Sequence, residues 1–259
     1  MRAYGRLALA GFRRFSTYRQ AMFAGLATNV VFGLLRFAIL STAVGGAGVV
    51  AGYDVADVGA YVWLGQGIMA FTLLWGDTAL AERIRSGDVV VDLYRPWHLT
   101  FALYAEDLGR AGYTLLARLA PPVAFGAIFF PFPWPEPTTW PLFALSLLLA
   151  DTVSFGIRFL LNASTFWLLD NRGIVSCYNV TSLLLCGMGV PIAFFPTWAQ
   201  TALASTPFPS MIQSPIDVFL EHGPQWTTLA HQAFWAAALL ALCHLTLTRA
   251  VRKVVVQGG

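Results

Sequence analysis

The chain has 259 residues, of which 57% are hydrophobic and only 11% are charged, and its formal net charge is +3. A water-soluble domain of this composition would expose large apolar patches, so the balance excludes an ordinary soluble protein and indicates a membrane protein. The single lysine, Lys253, is followed by Val254, so the sequence lacks the Gly-x-x-x-x-Gly-Lys-Ser/Thr loop that binds nucleotide phosphates. The sequence has nothing like a basic face for nucleic acid, which is therefore not an expected partner.

Six apolar stretches occupy most of the chain, and each is long enough to cross the hydrocarbon core as a helix of about 20 residues. We predict spans over residues 21–44, 57–80, 108–130, 140–169, 174–196 and 226–248. No interval between them is large enough for a second domain. The sequence therefore predicts an all-α polytopic membrane protein in which residues 1–259 form one transmembrane domain.

Apart from Arg36, Arg118 and Arg158, the cationic residues precede the first stretch, follow the last one, or lie in or at the edge of alternate intervals between them, and this pattern predicts the orientation. Short loops rich in Lys and Arg stay on the cytoplasmic side of a membrane. Both termini are therefore predicted to be cytoplasmic. The residues that carry the pattern are Arg2, Arg6, Arg13, Arg14, Arg19, Arg83, Arg85, Arg95, Arg110, Arg172, Arg249, Arg252 and Lys253.

The first 20 residues precede the first span and have two faces when they are placed on a helix. Apolar residues such as Leu7, Phe12 and Tyr18 recur at helical spacing, whereas the arginines fall mostly on the opposite side. This pattern predicts a helix over residues 1–20 that lies in the cytoplasmic interface of the membrane. The alternative is a simple positive anchor for the first span.

The interval between the second and third predicted spans, residues 81–100, is the most distinctive part of the sequence. It contains Ile84-Arg85-Ser86-Gly87-Asp88, followed by Leu93-Tyr94-Arg95-Pro96. This pattern resembles the cytoplasmic loop of bacterial ABC exporter permeases of the type-2 class, in the six-span subfamily. The arginine-rich N-terminus, Glu106 with Arg110, and the Phe194-Phe195-Pro196 run extend the likeness over nearly the whole chain.

The resemblance implies a dimer of two six-span permease subunits, identical or paralogous, in the plasma membrane of a bacterium. Each subunit would contact a separate cytoplasmic ABC ATPase that binds ATP and Mg²⁺, so this chain would hold no cofactor and would not be an enzyme by itself. Substrate would leave between the two subunits. The residues expected to couple to the ATPase are Glu82, Arg83, Arg85, Gly87, Asp88, Arg95 and Pro96.

The charges of residues 82–96 support the same expectation without the resemblance. Both signs of charge surround a break at Gly87, and this suits a short helix that docks in a groove of a soluble partner. The alternative for Arg83 and Arg85 is that they hold the loop at the lipid headgroups. That alternative is weaker for Asp88, because an acidic side chain gains nothing from anionic lipid.

Arg36, Arg118, Asp151 and Arg158 lie well inside the predicted spans, where an ionised group needs a partner or water. Counted at about 1.5 Å per residue, Arg118 and Asp151 reach similar depths on consecutive antiparallel spans, so we predict that they form an ion pair. A proton or ion relay is the alternative role for this pair. Arg158 is close enough to the cytoplasm to reach the headgroups. Arg36 either lines a path between subunits or forms a hydrogen bond with a neighbouring span.

Polar or bulky residues interrupt the apolar runs on spans that the resembling family places at the dimer seam. We expect them to line the substrate path, and the wide aromatic content suits a hydrophobic or amphipathic compound such as a drug, natural product or lipid. The expected path residues are Asn29, Phe32, Arg36, Gln66, Phe71, Asn179 and Met188.

Residues 197–224 form the long interval between the fifth and sixth predicted spans. The segment has no Lys or Arg and mixes Trp198, Phe208 and Phe219 with several prolines. It is too apolar for a solvated loop and too interrupted for a span. We therefore predict two short re-entrant helices that enter the outer leaflet, where protein or a water-filled cavity satisfies the broken backbone.

Signatures of other functions are missing from the sequence. There is no His-Glu-x-x-His zinc motif, no Gly-x-Ser-x-Gly elbow, and no spacing of the three cysteines that indicates a metal site. Two other classes of function stay open. An ion-gradient-driven carrier would use Arg118 and Asp151 as a relay, and a non-transporting membrane scaffold would share the composition but would not need the charged segment at 82–96.

Overall fold

A computed structural model describes residues 2–17, 19–75, 77–168 and 170–254. Tyr18, predicted in the interfacial helix, lies outside the described residues, as do the side chains of Arg2, Arg19, Arg252 and Lys253. The described residues form helices and no β-strand. The α-helices are α1 (Arg2–Ser16), α2 (Arg19–Gly45), α3 (Val55–Phe71), α4 (Ala79–Ser86), α5 (Val89–Leu93), α6 (Leu99–Thr114), α7 (Ala120–Phe129), α8 (Thr139–Ala163), α9 (Arg172–Leu185), α10 (Thr197–Ala204), α11 (Gln213–Phe219) and α12 (Gln225–Val254).

Within the described residues, four helical segments are long and apolar enough to cross a membrane: Gly25–Gly45, Leu99–Phe129, Thr139–Phe166 and Gln225–Val251. They correspond to the first, third, fourth and sixth predicted spans. The segment Leu99–Phe129 joins α6 to α7 through a π-helical turn at Leu115–Leu119. Pro121 and Pro122 follow this turn. Because proline has no backbone N–H, the carbonyls one turn earlier lose their usual donors, which favours the wider turn.

The predicted second span, 57–80, is wrong as one continuous helix, because α3 ends at Phe71. At about 1.5 Å per residue its 17 residues reach about 26 Å, slightly less than the hydrocarbon core. The Thr72 hydroxyl turns back to the Ile68 carbonyl (2.9 Å), and Leu73 adopts a positive φ of 52°. The chain then crosses to a separate helix, α4, which begins at Ala79.

The predicted fifth span, 174–196, is also wrong as a single helix. Its helix, α9, has 14 residues, and the chain turns at Gly187, where φ is 70°. A Cβ at this position would lie 2.6 Å from Gln213 Oε1, so the turn requires glycine for space as well as for backbone conformation. The backbone N–H of Gln213 donates to the Cys186 carbonyl (3.2 Å), which connects the interrupted span to α11.

The segment 197–224 does contain two short helices, α10 and α11, separated by a 3₁₀ turn at Phe208–Met211. Helix α11 belongs to the main apolar core, because Ile212, Ile216 and Phe219 are almost fully buried. The prolines that rule out a membrane-spanning helix therefore allow this segment to fold back between the longer helices.

Helix α3 forms the centre of the main core, and nearly every residue from Val58 to Ile68 is buried. The large ring of Trp63 is accommodated by glycines on two neighbours, Gly33 on α2 and Gly126 on α7, each of which has no room for a Cβ beside the indole. Small residues let helix backbones approach closely inside a membrane, where packing replaces the hydrophobic effect as the force between helices.

The N-terminal helix α1 lies along α6. Gly11 on α1 and Gly109 on α6 sit at the closest approach, where a Cβ on either residue would collide with a backbone carbonyl oxygen of the other helix. The amide of His98 also donates to the Tyr4 hydroxyl (3.3 Å) just before α6 begins. The helix predicted for residues 1–20 is therefore docked on the protein over its described part, and not only adsorbed to lipid.

Substitution of Gly109 by alanine should loosen α1, because the new methyl group would collide with the Ala8 carbonyl. We expect Gly109→Ala to lower the free energy of unfolding by about 1–3 kcal/mol, the usual cost of overpacking. Gly112→Ala on the same helix is the matched control, since its Cβ would make an ordinary 3.8 Å contact with Phe12. Thermal unfolding in detergent compares the two variants, and equal midpoints would contradict the proposed close approach.

Candidate functional site

The segment between α3 and α6 projects two short helices from the bundle on the predicted cytoplasmic side. Helix α4 ends at Gly87, whose φ of 85° lies in the left-handed region that only glycine adopts without strain. Helix α5 starts two residues later. The sequence therefore folds as a helix–glycine–helix corner, and the residues predicted to contact an ATPase are all found on it or just after it.

Ion pairs brace this corner from within. Arg83 Nη1 lies 2.7 Å from Asp92 Oδ2, which ties α4 to α5, and Arg95 Nε approaches the other oxygen of Asp92 at 3.9 Å. Thr78 donates to Glu82 (2.9 Å), and Ser86 donates to Asp88 (2.6 Å). Arg83 is half-buried, so its clearest role in the structure is to hold the shape of the corner.

The outer side of the corner is exposed. Glu82, Arg85, Asp88, Arg95 and Pro96 are all exposed there. The exposed surface also includes two residues that the sequence analysis missed, Val91 and Tyr94, whose relative exposures are 60% and 86%. Asp88 and Tyr94 flank the two ends of α5, and because they are spaced from Val91 by three residues the three side chains lie toward the same side of this helix. The signal available in the sequence was a tyrosine within a charged segment, because aromatic side chains are common anchors at protein interfaces.

Apolar packing joins the corner to the spans. Leu80 of α4 and Val89 of α5 are buried in a cluster with Leu99 and with the neighbouring parts of α8 and α12. Nearby, His98 lies beside His244 of α12, with ring centroids 4.6 Å apart. Burial and the neighbouring imidazole lower the pKa of His98, so this side chain is neutral near pH 7 and the charge of the corner comes from its Arg, Asp and Glu residues.

Asn162, near the end of α8, clamps the start of α4. Its Oδ1 accepts the backbone N–H of Ala81 (3.0 Å), while its Nδ2 donates to the carbonyls of Asp77 (2.6 Å) and Arg158 (2.8 Å). The Asn162 side chain thus satisfies a backbone carbonyl just before α4 and a backbone N–H in its first turn. Nothing in the local sequence marks this role, because it depends on α8 passing beside α4.

Behind this clamp, four charged side chains form a buried cluster, which we call the ion cluster: Asp107, Arg110, Asp151 and Arg158. Arg110 donates to Asp107 (2.7 Å), to Asp151 (2.6 Å) and to the Phe71 carbonyl (2.6 Å) at the end of α3. Arg158 donates to the other oxygen of Asp107 (2.7 Å). Each of the four residues is at most 8% exposed. The two positive and two negative charges balance, and they join α6, α8 and the end of α3.

The predicted pair of Arg118 with Asp151 is wrong, because Asp151 is paired with Arg110. Depth along a helix axis does not specify which side of the helix a residue occupies, and the π-helical turn that contains Arg118 changes its rotation relative to Arg110 further. The Arg118 guanidinium instead lies beside Gly25 of the first span. Arg158 pairs with Asp107 and is buried, so the expectation that it reaches the headgroups is also wrong.

The seven expected path residues are not brought together in one place. Phe32 is 56% exposed on the outside of α2, whereas Gln66, Phe71 and Met188 are buried among the helices. Arg36 donates to the Gly189 carbonyl (3.3 Å) and approaches the Met188 sulfur (3.6 Å), which is the internal hydrogen bond that had been the alternative for this residue. Asn29 lines a cavity beside α2, and the backbone carbonyl of Asn179 accepts the Trp75 indole N–H.

Metal ligation has no visible basis in the part of the chain that the structure describes. No group of three or more His, Cys, Asp or Glu residues is placed there so that it could hold a metal ion.

Comparison with known families agrees with this architecture. The model of the family described as "ABC-2 family transporter protein" matches residues 29–258. This match covers most of the chain, so the protein belongs to the ABC-2 transporter family, and the resemblance of the sequence to type-2 permeases is confirmed. Comparison with curated proteins found no match. The chain is thus a multi-pass membrane permease of an ABC transporter, and its family, whose membrane domain has no nucleotide-binding site of its own, implies association with an ABC ATPase.

Removal of Arg110 should be more harmful than removal of its whole pair with Asp151. Arg110→Met leaves buried carboxylates without their shared partner, for which we expect a loss of about 3–5 kcal/mol in stability. The double variant Arg110→Met/Asp151→Leu should recover part of that loss. Unfolding of the single and double variants measures the coupling energy. A matched cycle with Arg118→Met should give additive effects within about 0.5 kcal/mol, and strong coupling of Arg118 to Asp151 would contradict the assigned pairing.

Asn162→Ala should free the start of α4 while the spans stay folded, because it deletes the hydrogen bonds that join α8 to this turn. We expect amide exchange in residues 79–86 to accelerate about tenfold, the effect of losing roughly one net hydrogen bond. Asn171→Ala is the control, since Asn171 donates to the Leu161 carbonyl (2.8 Å) of the same helix. Equal exchange of residues 79–86 in both variants would argue against the clamp.

Proposed function

We propose that this chain is the permease subunit of a bacterial ABC exporter, with six membrane crossings, cytoplasmic termini and a separate ATPase that docks on residues 82–96. The observation that carries the proposal is the helix–glycine–helix corner, which is exposed on its outer side and anchored to the spans on its inner side. An element that transmits a nucleotide-driven movement has to satisfy both conditions, because it binds the moving partner and displaces the helices.

The outer side of the corner has the chemistry of a docking surface. Asp88, Val91 and Tyr94 place a charge, an aliphatic side chain and an aromatic ring on one side of α5, and Arg85 is exposed on the helix before it. Aromatic residues provide affinity at interfaces, while charges around them select the partner and its orientation. A solvated loop without a partner would gain nothing from exposing the tyrosine.

The inner side offers a route by which movement reaches the spans. Asn162 joins α4 to α8, and one turn earlier on α8 Arg158 joins the ion cluster, which reaches α6 and the end of α3. Hydrogen-bonded charges in a low-dielectric interior resist separation. A displacement of α4 would therefore move these helices together more readily than it would pull away from them.

A second permease subunit, identical or paralogous, is part of the proposal. Helix α2 exposes Val31, Phe32, Leu35 and Ile39, and α9 exposes Val180 and Leu184. Lipid or a second subunit can cover these apolar surfaces. A pathway between subunits requires that a second subunit covers part of them. Export of a hydrophobic or amphipathic compound from the cytoplasm to the outside is the direction and substrate class that we propose.

An ion-gradient-driven carrier is the second candidate, and one observation favours it. Asp151 Oδ2 is buried and has no hydrogen-bond partner among the described residues, which is a feature of proton-binding carboxyls. The ion pair of the other oxygen with Arg110 gives Asp151 a structural role instead. Reconstituted vesicles separate the two candidates. The isolated chain should move no compound under a pH gradient, whereas its complex with the ATPase should move compound when ATP is added.

Charge reversal at Asp88 or Arg85 should weaken docking of the ATPase and leave the membrane domain folded. We expect Asp88→Arg and Arg85→Glu each to cost about 1–2 kcal/mol in binding and to reduce ATP hydrolysis by the complex. Co-purification of the ATPase and its stimulated rate are the measurements. Arg249→Glu, an exposed reversal near the end of α12, is the matched control, and the docking proposal would be rejected by normal coupling in both loop variants.

Side-specific labelling tests the orientation. In a Cys177→Ser background, Asp88→Cys should react with a membrane-impermeant maleimide only after the cells are permeabilised, because the proposed orientation has residue 88 on the cytoplasmic side. Val49→Cys, 61% exposed in the first predicted external interval, should react in intact cells. Labelling of Asp88→Cys in intact cells would reverse the proposed orientation.

A further inference from the structure

A cavity of about 890 Å³ lies between α10, α11, the first turns of α12 and the turn at residues 51–53. Thr227 and His231 line it on α12, whereas Leu247 on the same helix belongs to the apolar cluster of the helix–glycine–helix corner. Thr227 and Leu247 are about 30 Å apart along the helix at about 1.5 Å per residue. The cavity is therefore at the end of the bundle away from the corner, which is the external end in the proposed orientation.

Asp217 of α11 is half-buried in the wall of this cavity, and two hydrogen bonds hold its carboxylate in place. Gln213 Nε2 (2.7 Å) and the Tyr53 hydroxyl (3.3 Å) both donate to Oδ1. Gln213 is itself oriented by the backbone N–H of Ile192, which donates to its Oε1 (3.2 Å). Oδ2 of Asp217 accepts no hydrogen bond from the described residues, so it is available to a group in the cavity.

The charge of Asp217 has no counter-ion in the cavity. None of the described lining residues is Lys or Arg, and Glu221 adds a second carboxylate. Burial raises the pKa of the Asp217 carboxyl, which lies between the fifth and sixth predicted spans, to about 7. A buried carboxylate without a counter-ion is disfavoured in its charged form. A cation in the cavity would supply the missing charge.

Several other polar groups of the wall have already used their hydrogen-bond donors. The hydroxyls of Thr201, Thr227 and Thr228 donate to backbone carbonyls three or four residues earlier, at 3.0, 2.8 and 3.4 Å. Gln200 Nε2 donates to two backbone carbonyls (2.8 and 3.1 Å). Each of these side chains keeps an oxygen with free acceptor capacity. The wall therefore offers mainly acceptors to a ligand.

An ammonium group matches this wall, because it carries a positive charge and can only donate hydrogen bonds. A metal ion fits less well, since no group of three or more His, Cys, Asp or Glu among the described residues is placed so that it could hold one. The cavity has the volume of a small-molecule site, so the ammonium could be followed by an apolar body. The lining also has an apolar part, formed by Ile192, Ala193, Ala204 and Pro209.

We propose that this external cavity binds the primary ammonium head of an amphipathic molecule. Asp217 binds its charge, and the oxygens of Gln200 and the threonines accept its N–H groups. A bound amine would be a substrate of the proposed exporter near its exit, so this role rests on the proposed function. The same chemistry is carried by an exported amine and by the ethanolamine head of a membrane lipid. Binding itself needs neither ATP nor a partner, so it is measurable on the full chain alone.

The experiment measures binding to the purified full chain in a neutral detergent by calorimetry. The probes share one alkyl chain: hexylammonium, hexyltrimethylammonium, hexanol and hexanoate. We expect hexylammonium to bind about tenfold more tightly than hexanol or hexanoate, the effect of a hydrogen bond to a charged group. Hexyltrimethylammonium has the charge without N–H donors, so its affinity should be intermediate. Equal affinity for hexylammonium and hexanol would overturn the proposal.

Competition with phosphatidylethanolamine separates the two sources of the amine. Displacement of bound hexylammonium by this lipid would identify a lipid head as an occupant of the site. A lack of displacement would identify the site as one for an exported amine. Specific hexylammonium binding supports the proposed site in either case.

Variants with matched controls locate the site. Asp217→Asn retains the shape of the side chain and removes its charge, so it should weaken hexylammonium binding about tenfold and leave hexanol binding unchanged. Glu136→Gln is the control, because Glu136 is an exposed carboxylate between the third and fourth predicted spans that does not line the cavity. Thr201→Val removes one acceptor and should weaken hexylammonium binding about threefold. Thr248→Val removes a hydroxyl with the same type of bond (2.9 Å to the His244 carbonyl) near the other end of α12 and should have no effect.

Protons should compete with the cation for Asp217. With a pKa of about 7, the ionised fraction of this carboxyl falls about tenfold from pH 8 to pH 6, while an alkylammonium keeps its charge. Hexylammonium affinity should fall by about that factor, and hexanol affinity should not change. Protonation of Glu221 or of an imidazole would act in the same direction. The other titratable groups around Asp217 are Tyr53, Tyr61, Glu221, His222 and His231. A hexylammonium affinity that is equal at pH 8 and pH 6 would contradict the role of Asp217.

Size-exclusion profiles and unfolding midpoints identify any variant that fails to fold. Asp217→Asn removes a charge without a counter-ion, so its midpoint should not lie below that of the unchanged chain. If it does not fold, the Thr201→Val variant and the comparison of hexylammonium with hexanol still test the site. Unchanged hexylammonium binding in folded Asp217→Asn would overturn the assignment of this ligand.

The proposed function and the proposed site can fail separately. If hexylammonium does not bind while the complex still transports compound with ATP, only the cavity proposal fails. If hexylammonium binds and the complex transports nothing, only the proposed exporter function fails.

Discussion

The interaction on which the rest of the structure depends is the buried contact of Arg110 with Asp107, Asp151 and the Phe71 carbonyl. A charge inside a membrane is costly unless it finds partners, and a guanidinium offers five N–H donors with which to find them. Arg110 finds these partners on three helices at once. The positions of α3, α6 and α8 are thereby linked, because separation of any one of them would leave an uncompensated charge in a low-dielectric interior.

That contact also explains why α3 ends where it does. The last carbonyls of a helix have no donor within the helix, and at Phe71 this donor is supplied by Arg110. The next carbonyl, of Thr72, accepts from Ser154 of α8 (2.7 Å). The chain can therefore leave the helix inside the protein without losing hydrogen bonds, and α4 starts as an independent element. The corner at Gly87 is joined to the spans for the same reason, since Asn162 satisfies the first turn of α4.

Much of this protein was predictable where a single segment contains all the information. Long apolar runs indicated four of the helices of membrane-crossing length, the prolines in 197–224 indicated short helices, and Gly87 indicated a break in the charged segment. Predictions failed where the outcome depended on a neighbour in space. The ends of α3 and α9 depend on side chains of other helices. Tyr94 and Val91 gained significance only once α5 was seen to leave them exposed.

The pairing of charges shows most clearly which features the sequence determines and which depend on the tertiary structure. The sequence alone determined that each buried charge needs a partner, because this follows from residue identity and the low dielectric of a membrane. It also determined which residues carry these charges: Arg110, Arg118, Asp151 and Arg158. Only the tertiary structure decided that Asp151 pairs with Arg110 and that Arg118 lies beside Gly25. Helix rotation, the π-helical turn before Pro121 and the crossing of α6 with α8 determine which side chains meet, and they arise from packing among several helices at once.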